Sequence, residues 1–333
     1  MSKNNVNKDP LVSVIMATYN GERFIAEAIQ SVLDQTFKDF EFIIVDDGST
    51  DTTEQLISSY QDQRIVYIKK ENNTGIADSL NIGIDSAKGD YIARMDDDDV
   101  CMSTRLEKQL KVFSENDKLI LCGTSVFQKG VPEIRINPEK HEDIKTAMLF
   151  KNPITHPTVM FRNELLSNYS YDANMVPSED YDLWSRLIFE GEFYNIREPL
   201  LFYRYHKKSE TATRREEQLN LNVKIAQTFF KKVGFDTPFQ NEYIKIIASH
   251  DYSISGRRLK VLLKWLHGLI QFNKANKLLP EAGFNETLNK NIEKYLLSYF
   301  TNKTIINKIV PFLYLNIAKQ KLILNYYFSK LKN

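Results

Sequence analysis

Cysteine is nearly absent: Cys101 and Cys122 are the only two in 333 residues, and neither belongs to a Cys-x-x-Cys pair. A disulfide scaffold and a zinc ribbon are excluded, and the scarcity suits a reducing compartment. Long apolar runs are missing too, since no charge-free stretch approaches the ~18 residues of a membrane-spanning helix. Met1 to Pro10 is polar, and the apolar run after it has no small-residue cleavage site. A cytoplasmic location is the expectation. Glycine-rich phosphate loops are also lacking. The first β-rich run leads into Ala17-Thr18-Tyr19-Asn20-Gly21-Glu22, which is neither GxGxxG nor a P-loop. NAD-dependent chemistry and P-loop phosphoryl transfer are therefore not expected. Nor is there an excess of charge, with 44 Lys and Arg against 43 Asp and Glu. That balance conceals a split. Gly256 to Asn333 holds 14 basic and 3 acidic residues, a sum of +11, which leaves −10 for the other 255.

What is present is the composition of a globular protein, 42% hydrophobic and 26% charged, which excludes disordered and collagen-like classes. The first hundred residues alternate between strand and helix patterns. Leu11–Ala17, Glu41–Val45, Ile65–Ile68 and Asp90–Met95 read as strands. Between them, residues 22–35, the segment starting at Thr50-Asp51-Thr52, and Ile76–Ala87 read as helices. This spacing predicts an α/β fold, a mostly parallel twisted sheet flanked by helices. A boundary is expected near residue 210, with a catalytic domain over 1–210 in two halves, about 10–100 and 101–210. A helical region over 211–333 follows, basic from 256.

Ligands of such sheets bind beyond the carboxyl ends of the strands. Those ends carry Ala17-Thr18-Tyr19-Asn20, Asp46-Asp47 and Asp96-Asp97-Asp98-Asp99. Four consecutive Asp after a buried strand need compensating positive charge, and a divalent cation such as Mg²⁺ or Mn²⁺ supplies it. A solvated acidic loop is the plainer alternative. A calcium EF-hand fails, because Val100 and Cys101 stand where an oxygen ligand and a glycine belong.

Val12-Ser13-Val14-Ile15-Met16-Ala17-Thr18-Tyr19-Asn20, Val45-Asp46-Asp47-Gly48-Ser49 and Ala93-Arg94-Met95-Asp96-Asp97-Asp98-Asp99 together resemble the inverting glycosyltransferases of family 2, which have the GT-A fold. His156-Pro157, Ser178-Glu179-Asp180-Tyr181-Asp182-Leu183-Trp184 and Tyr203-Arg204-Tyr205-His206 extend the resemblance over residues 10–210. It implies a nucleotide-sugar donor, most often a UDP-sugar. By the same resemblance Ala17, Tyr19 and Asp47 hold base and ribose, and Glu27 and Asn73 line the nucleotide pocket. Asp98 is the metal ligand, Asp96 a further ligand or sugar contact, Asp97 a donor contact, and His206 completes the metal site. Asp180 is implied to be the catalytic base, with Glu179 beside it; the plainer reading gives both to the helix dipole after Ser178. No Gln-x-x-Arg-Trp motif of processive relatives is present, so addition of one sugar is expected.

The basic tail interleaves Lys and Arg with Trp265, Phe272, Tyr295 and Phe300. It fits either contact with an anionic membrane that presents a lipid-linked glycan acceptor, or a helical bundle with lysines on its solvated face. Nucleic acid is not an expected partner. A metal-dependent nucleotidyltransferase and an inactive glycan-binding or scaffold subunit are the competing functions. The first lacks its glycine-rich loop, and the second leaves the acidic motifs without a purpose.

Overall fold

A computed structural model describes residues 9–128, 134–204, 213–235, 240–249 and 255–302. β1 (Val12–Thr18) and β2 (Phe40–Asp46) are buried along their whole length, as continuous apolar runs require when a parallel sheet is covered on both faces. α1 (Ile25–Leu33) turns Ile25, Ala28, Ile29 and Val32 inward at helical spacing. α2 (Thr53–Ser58), β3 (Ile65–Lys69), α3 (Ile76–Asp85) and β4 (Tyr91–Asp96) complete the alternation. The strands lie in the order β3-β2-β1-β4, all parallel. The chain therefore steps away from β1 on one side and returns on the other, which opens a crevice at the carboxyl ends of these strands. The register aligns what faces that crevice: Thr18 pairs with Asp46, and Ala17 with Asp96.

Beyond β4 the pairing changes. The later elements are β5 (Val100–Cys101), α4 (Arg105–Glu115), β6 (Leu119–Gln128), β7 (Ile134–Arg135), α5 (His141–Ala147), β8 (Met160–Arg162), α6 (Glu179–Leu187) and β9 (Glu192–Tyr203). β8 is antiparallel to both β4 and β6, β6 runs parallel to β9, and β5 closes on the end of β9. The sheet is thus mixed, its parallel half carrying the expected alternation and its other half joined through the short strand β8. Because β5 begins one residue after Asp99, its pairing with β9 sets Arg204 beside the acidic run.

The chain divides into two compact units. One reaches Ile144 and resumes from Asn152 to Leu221; the other comprises Lys145–Lys151 and the chain from Asn222 onward. The helices of the C-terminal region are α7 (Arg215–Val233), α8 (Gln240–Ala248), α9 (Gly256–Asn276) and α10 (Glu281–Asn302). Aromatic rings form the core of the second unit. Phe230 meets Phe150 at 5.5 Å and Trp265 at 5.9 Å, while Phe235 stacks on Phe284 at 5.4 Å. Trp265, Tyr295 and Phe300 are buried, whereas Arg257, Lys260, Lys264 and Lys274 on α9 are exposed. Between Gly256 and Asn302, then, the aromatics interleaved with basic residues serve packing. The tail residues from Lys303 onward lie outside the described residues.

Candidate active site

The loops after β1 and β2 are tied together at the strand ends. Asn20 accepts from the Thr50 backbone N–H at 2.8 Å, and its own N–H donates to Ser49 Oγ at 2.9 Å. Gly48, at φ +76°, takes a left-handed conformation, and a Cβ there would sit 2.9 Å from the Asn72 backbone. This close approach brings the β2 and β3 loops together. Asp46 is buried and satisfied, accepting from Tyr67 Oη and the Ser49 N–H at 2.8 Å each. Asp47 accepts from the N–H groups of Thr74 (2.9 Å) and Gly75 (2.8 Å) and lies 2.6 Å from Lys70 Nζ. Its carboxylate therefore organises the turn that carries the exposed Asn73. Ala17 is buried at the end of β1, and Tyr19 just after it is half-exposed.

The acidic run separates by direction. Asp97 turns back toward β1 and accepts from Thr18 Oγ1 at 2.5 Å. Gly21 makes room for this, because a Cβ there would meet both atoms of that bond at 2.5–2.6 Å. Burial pushes the Asp97 carboxyl up to about 7, with the charges of Asp98 and Asp96 adding to the rise. Asp96, Asp98 and Asp99 gather instead, one oxygen of each within 4.8 Å of the others. Asp99 is fully buried. Its Oδ1 accepts from the Arg204 N–H at 2.7 Å, and its Oδ2 has no hydrogen-bond partner among the described residues. Burial and the neighbouring Asp96 and Asp98 push its carboxyl far up. An all-oxygen set with an orphaned buried carboxylate oxygen fits a hard divalent cation such as Mg²⁺ or Mn²⁺.

Of the three expected metal ligands, Asp96 and Asp98 are in this group, and His206 lies outside the described residues. Asp99, which the sequence motif left unassigned, joins them. Arg204 links the group to Glu27, pairing with its carboxylate at 2.6 Å while stacking 4.4 Å above the Phe24 ring.

Arg94 is the residue that motif reading passed over. It is buried in β4 between the fully buried Ala93 and Met95, and its guanidinium pairs with Asp96. Its Nε has no hydrogen-bond partner among the described residues. The field of Arg94 reaches Asp97, Asp99, His156, Tyr171 and Asp180. A lone cation in an otherwise apolar strand was the available signal. The equally buried Arg105 holds the frame, donating to the carbonyls of Arg94 (2.6 Å) and Pro157 (3.0 Å).

Asp180 lies in the first turn of α6, where the helix dipole favours an anion. Its Oδ1 accepts from the Tyr181 N–H at 2.6 Å and its Oδ2 from Asn152 Nδ2 at 2.7 Å. Burial pushes the carboxyl up to about 6; the two hydrogen bonds and Arg94 oppose that rise, and Asp96 adds to it. Glu179 is buried, with an oxygen 4.0 Å from His156 Nδ1. The other ring nitrogen of His156 pairs with Tyr171 Oη at 2.8 Å, and burial together with Arg94 holds the imidazole neutral. The arrangement offers a poised carboxylate, a pocket for a hard cation, and a buried guanidinium whose charge acts on both.

The Glycosyl transferase family 2 model matches residues 13–173. An uncharacterized glycosyltransferase of Methanocaldococcus jannaschii is 37% identical over 232 residues, 67% of this chain and 80% of that protein. The O-antigen biosynthesis glycosyltransferase WbnJ of Escherichia coli is 34% identical, over 60% of this chain and 81% of its own. Among solved structures, S. aureus TarS 1-349 in complex with UDP-GlcNAc superposes with a TM-score of 0.57 at 17% identity, over 96% of this chain and 92% of that one. At that identity the likeness concerns the fold.

Proposed function

The chain belongs to glycosyltransferase family 2, and from that premise we propose that it transfers a single sugar, with inversion, from a UDP-sugar to a glycan acceptor carried on a lipid. The setting is assembly of a cell-surface polysaccharide of capsule or O-antigen type, in keeping with the named role of the WbnJ relative. One observation carries the reading: Asp180, in the first turn of α6, responds to Asp96, a member of the carboxylate group, and to Arg94, the first raising its pKa and the second lowering it. A base and a leaving-group site are needed within one reaction centre, and these residues supply both.

In this mechanism the acceptor hydroxyl gives its proton to Asp180 as its oxygen attacks the anomeric carbon. The bond from that carbon to the diphosphate oxygen breaks on the opposite face, so configuration inverts without a covalent enzyme intermediate. A carboxyl titrating near 6 is ionised at neutral pH yet basic enough to accept the proton. A divalent cation held by Asp96, Asp98 and Asp99, with His206 as a further ligand, would neutralise charge on the departing diphosphate. Arg94, with one N–H uncommitted among the described residues, adds fixed positive charge to the same region. Ala17 and Tyr19 bound the base and ribose. Asp47 keeps acceptor capacity beyond its present contacts for the imide N–H of uracil, because two carboxylate oxygens offer about four lone-pair sites. Glu27 on α1, Asn73 on the turn after β3 and Asp97 after β4 complete the donor pocket.

No helix among the described residues is long and apolar enough to cross a membrane. The exposed basic face of α9 supports peripheral contact with anionic lipid at the inner face of the cell membrane, where a lipid-linked acceptor would be met. The catalytic domain in this reading is the sheet-bearing part, and the helical part is accessory. A screen of nucleotide-sugars, reading released nucleoside diphosphate, tests the proposal. A UDP-sugar should be consumed, and Asp180→Asn should lose transfer by about a hundred- to ten-thousand-fold with donor binding retained. Near wild-type turnover by Asp180→Asn would remove it as the base.

A further inference from the structure

Asn152 is placed where nothing in the sequence motifs assigns a role. Its amide orientation is set by chemistry, because the Ile154 backbone N–H donates to its Oδ1 at 3.1 Å and only an acceptor satisfies that contact. The amide nitrogen is consequently forced toward Asp180, donating to Oδ2 at 2.7 Å. The opposite oxygen of Asp180 is held by the Tyr181 N–H. The carboxylate is thus gripped from both sides, in a fixed plane, with one lone pair of each oxygen already used. We infer that Asn152 is a positioning residue for the transfer reaction, holding the Asp180 carboxylate in the plane from which it takes the acceptor proton.

The inference rests on the reading of Asp180 as the base. Other charged and titratable groups act on Asp180 or feel it: Arg94 and Asp96 from β4, and Tyr171 from the loop before α6, while Glu179 is its neighbour in the same first turn. Arg94 and the Asn152 hydrogen bond favour the ionised carboxylate, whereas burial and Asp96 oppose it. Loss of the Asn152 donor must therefore raise the pH at which Asp180 ionises. Among the described residues Asn152 bonds to Asp180 and Ile154 and not to the carboxylate group, so its effect should fall on kcat and leave donor affinity alone.

The test uses the full chain with Asn152→Asp and Asn152→Ala. The first keeps shape and the acceptor for Ile154 N–H but replaces the donor by an anion. The second removes the side chain and serves if the first fails to fold. The Asp180 titration is followed by carboxyl carbon-13 NMR, and kcat and donor KM are followed against pH with the best donor from the screen. The expected result is a rise of about one pH unit or more in the Asp180 midpoint. The acid limb of kcat should move with it, kcat at neutral pH should fall about tenfold or more, and donor KM should stay within about twofold. An Asp180 midpoint unchanged in both variants overturns the inference. A midpoint that moves while the acid limb of kcat stays in place confirms the contact and overturns the assignment of Asp180 as base.

Discussion

In the unit that carries the sheet, Asp46, Asp47, Arg94, Asp99, Arg105 and Glu179 are buried; in the helical unit the buried polar side chains are Thr146 and Asn273, neither charged, among the described residues. Among the described residues both units leave a buried polar atom open, Asn285 Oδ1 in the helical unit among them, but at the acidic group the open atoms belong to charged side chains. Asn273 exchanges two hydrogen bonds with the Leu279 backbone, at 2.8 and 2.9 Å. Asp99 Oδ2 and Arg94 Nε, by contrast, have no partner among the described residues. A buried polar atom left without a hydrogen-bond partner costs about 1–3 kcal/mol in a folded protein. A polar group closed on itself serves packing. One left open at a strand end is arranged for something that arrives.

That contrast is broken most severely by removing what the open groups await. Thorough chelation with EDTA should abolish transfer, and Mn²⁺ or Mg²⁺ should restore it, as read by released nucleoside diphosphate. Asp99→Asn should raise the metal concentration for half-maximal activity by about 10–100-fold. Full activity after chelation would leave the acidic group without its cation. A smaller effect is expected from Arg94→Met, which leaves Asp96 unpaired. Unfolding free energy should fall by about 3 kcal/mol, the low end for breaking a buried pair because Asp96 keeps some solvent contact. The sign of the pH effect is fixed as well. Arg94 lowers the Asp180 pKa, so without it the carboxyl ionises at higher pH and the acid limb of kcat should move upward. An unmoved limb would show that Arg94 does not act on Asp180. The smallest effect should follow charge removal on the helical unit. Replacing Lys260, Lys264 and Lys274 with Ser should leave the melting temperature within about 2 °C. Partitioning onto anionic liposomes should weaken by roughly fivefold per residue; equal partitioning would mean that this face does not meet lipid.

Much of the parallel half was legible because its signals are local. The both-faces-apolar runs of β1 and β2 and the turn residues after them need no knowledge of distant partners. The β8-β6-β9 pairing was not legible, since three residues at Met160–Arg162 join the two halves through contacts far apart in sequence. Within the acidic run, the sequence identified four candidates but not their directions. Asp97 departs from its neighbours because Thr18, 79 residues earlier, offers a hydroxyl. The positions of Arg94 and Asn152 were visible, yet their chemistry depends on what lies across from them. A buried guanidinium reads as structure until Asp96 is seen paired with it and its charge is seen to act on Asp180.

The short excursion at Lys145–Lys151 has a consequence for synthesis. Met148, Leu149 and Phe150 are buried, and Phe150 packs on Phe230, which leaves the ribosome eighty residues later. At translation rates of about 5–20 residues per second that delay is roughly 4–16 s. During this interval three apolar side chains lack the helix that Phe150 packs against in the finished protein. The nascent chain is therefore expected to leave this short hydrophobic segment uncovered until α7 is made, and truncation before α7 would remove the ring on which Phe150 packs.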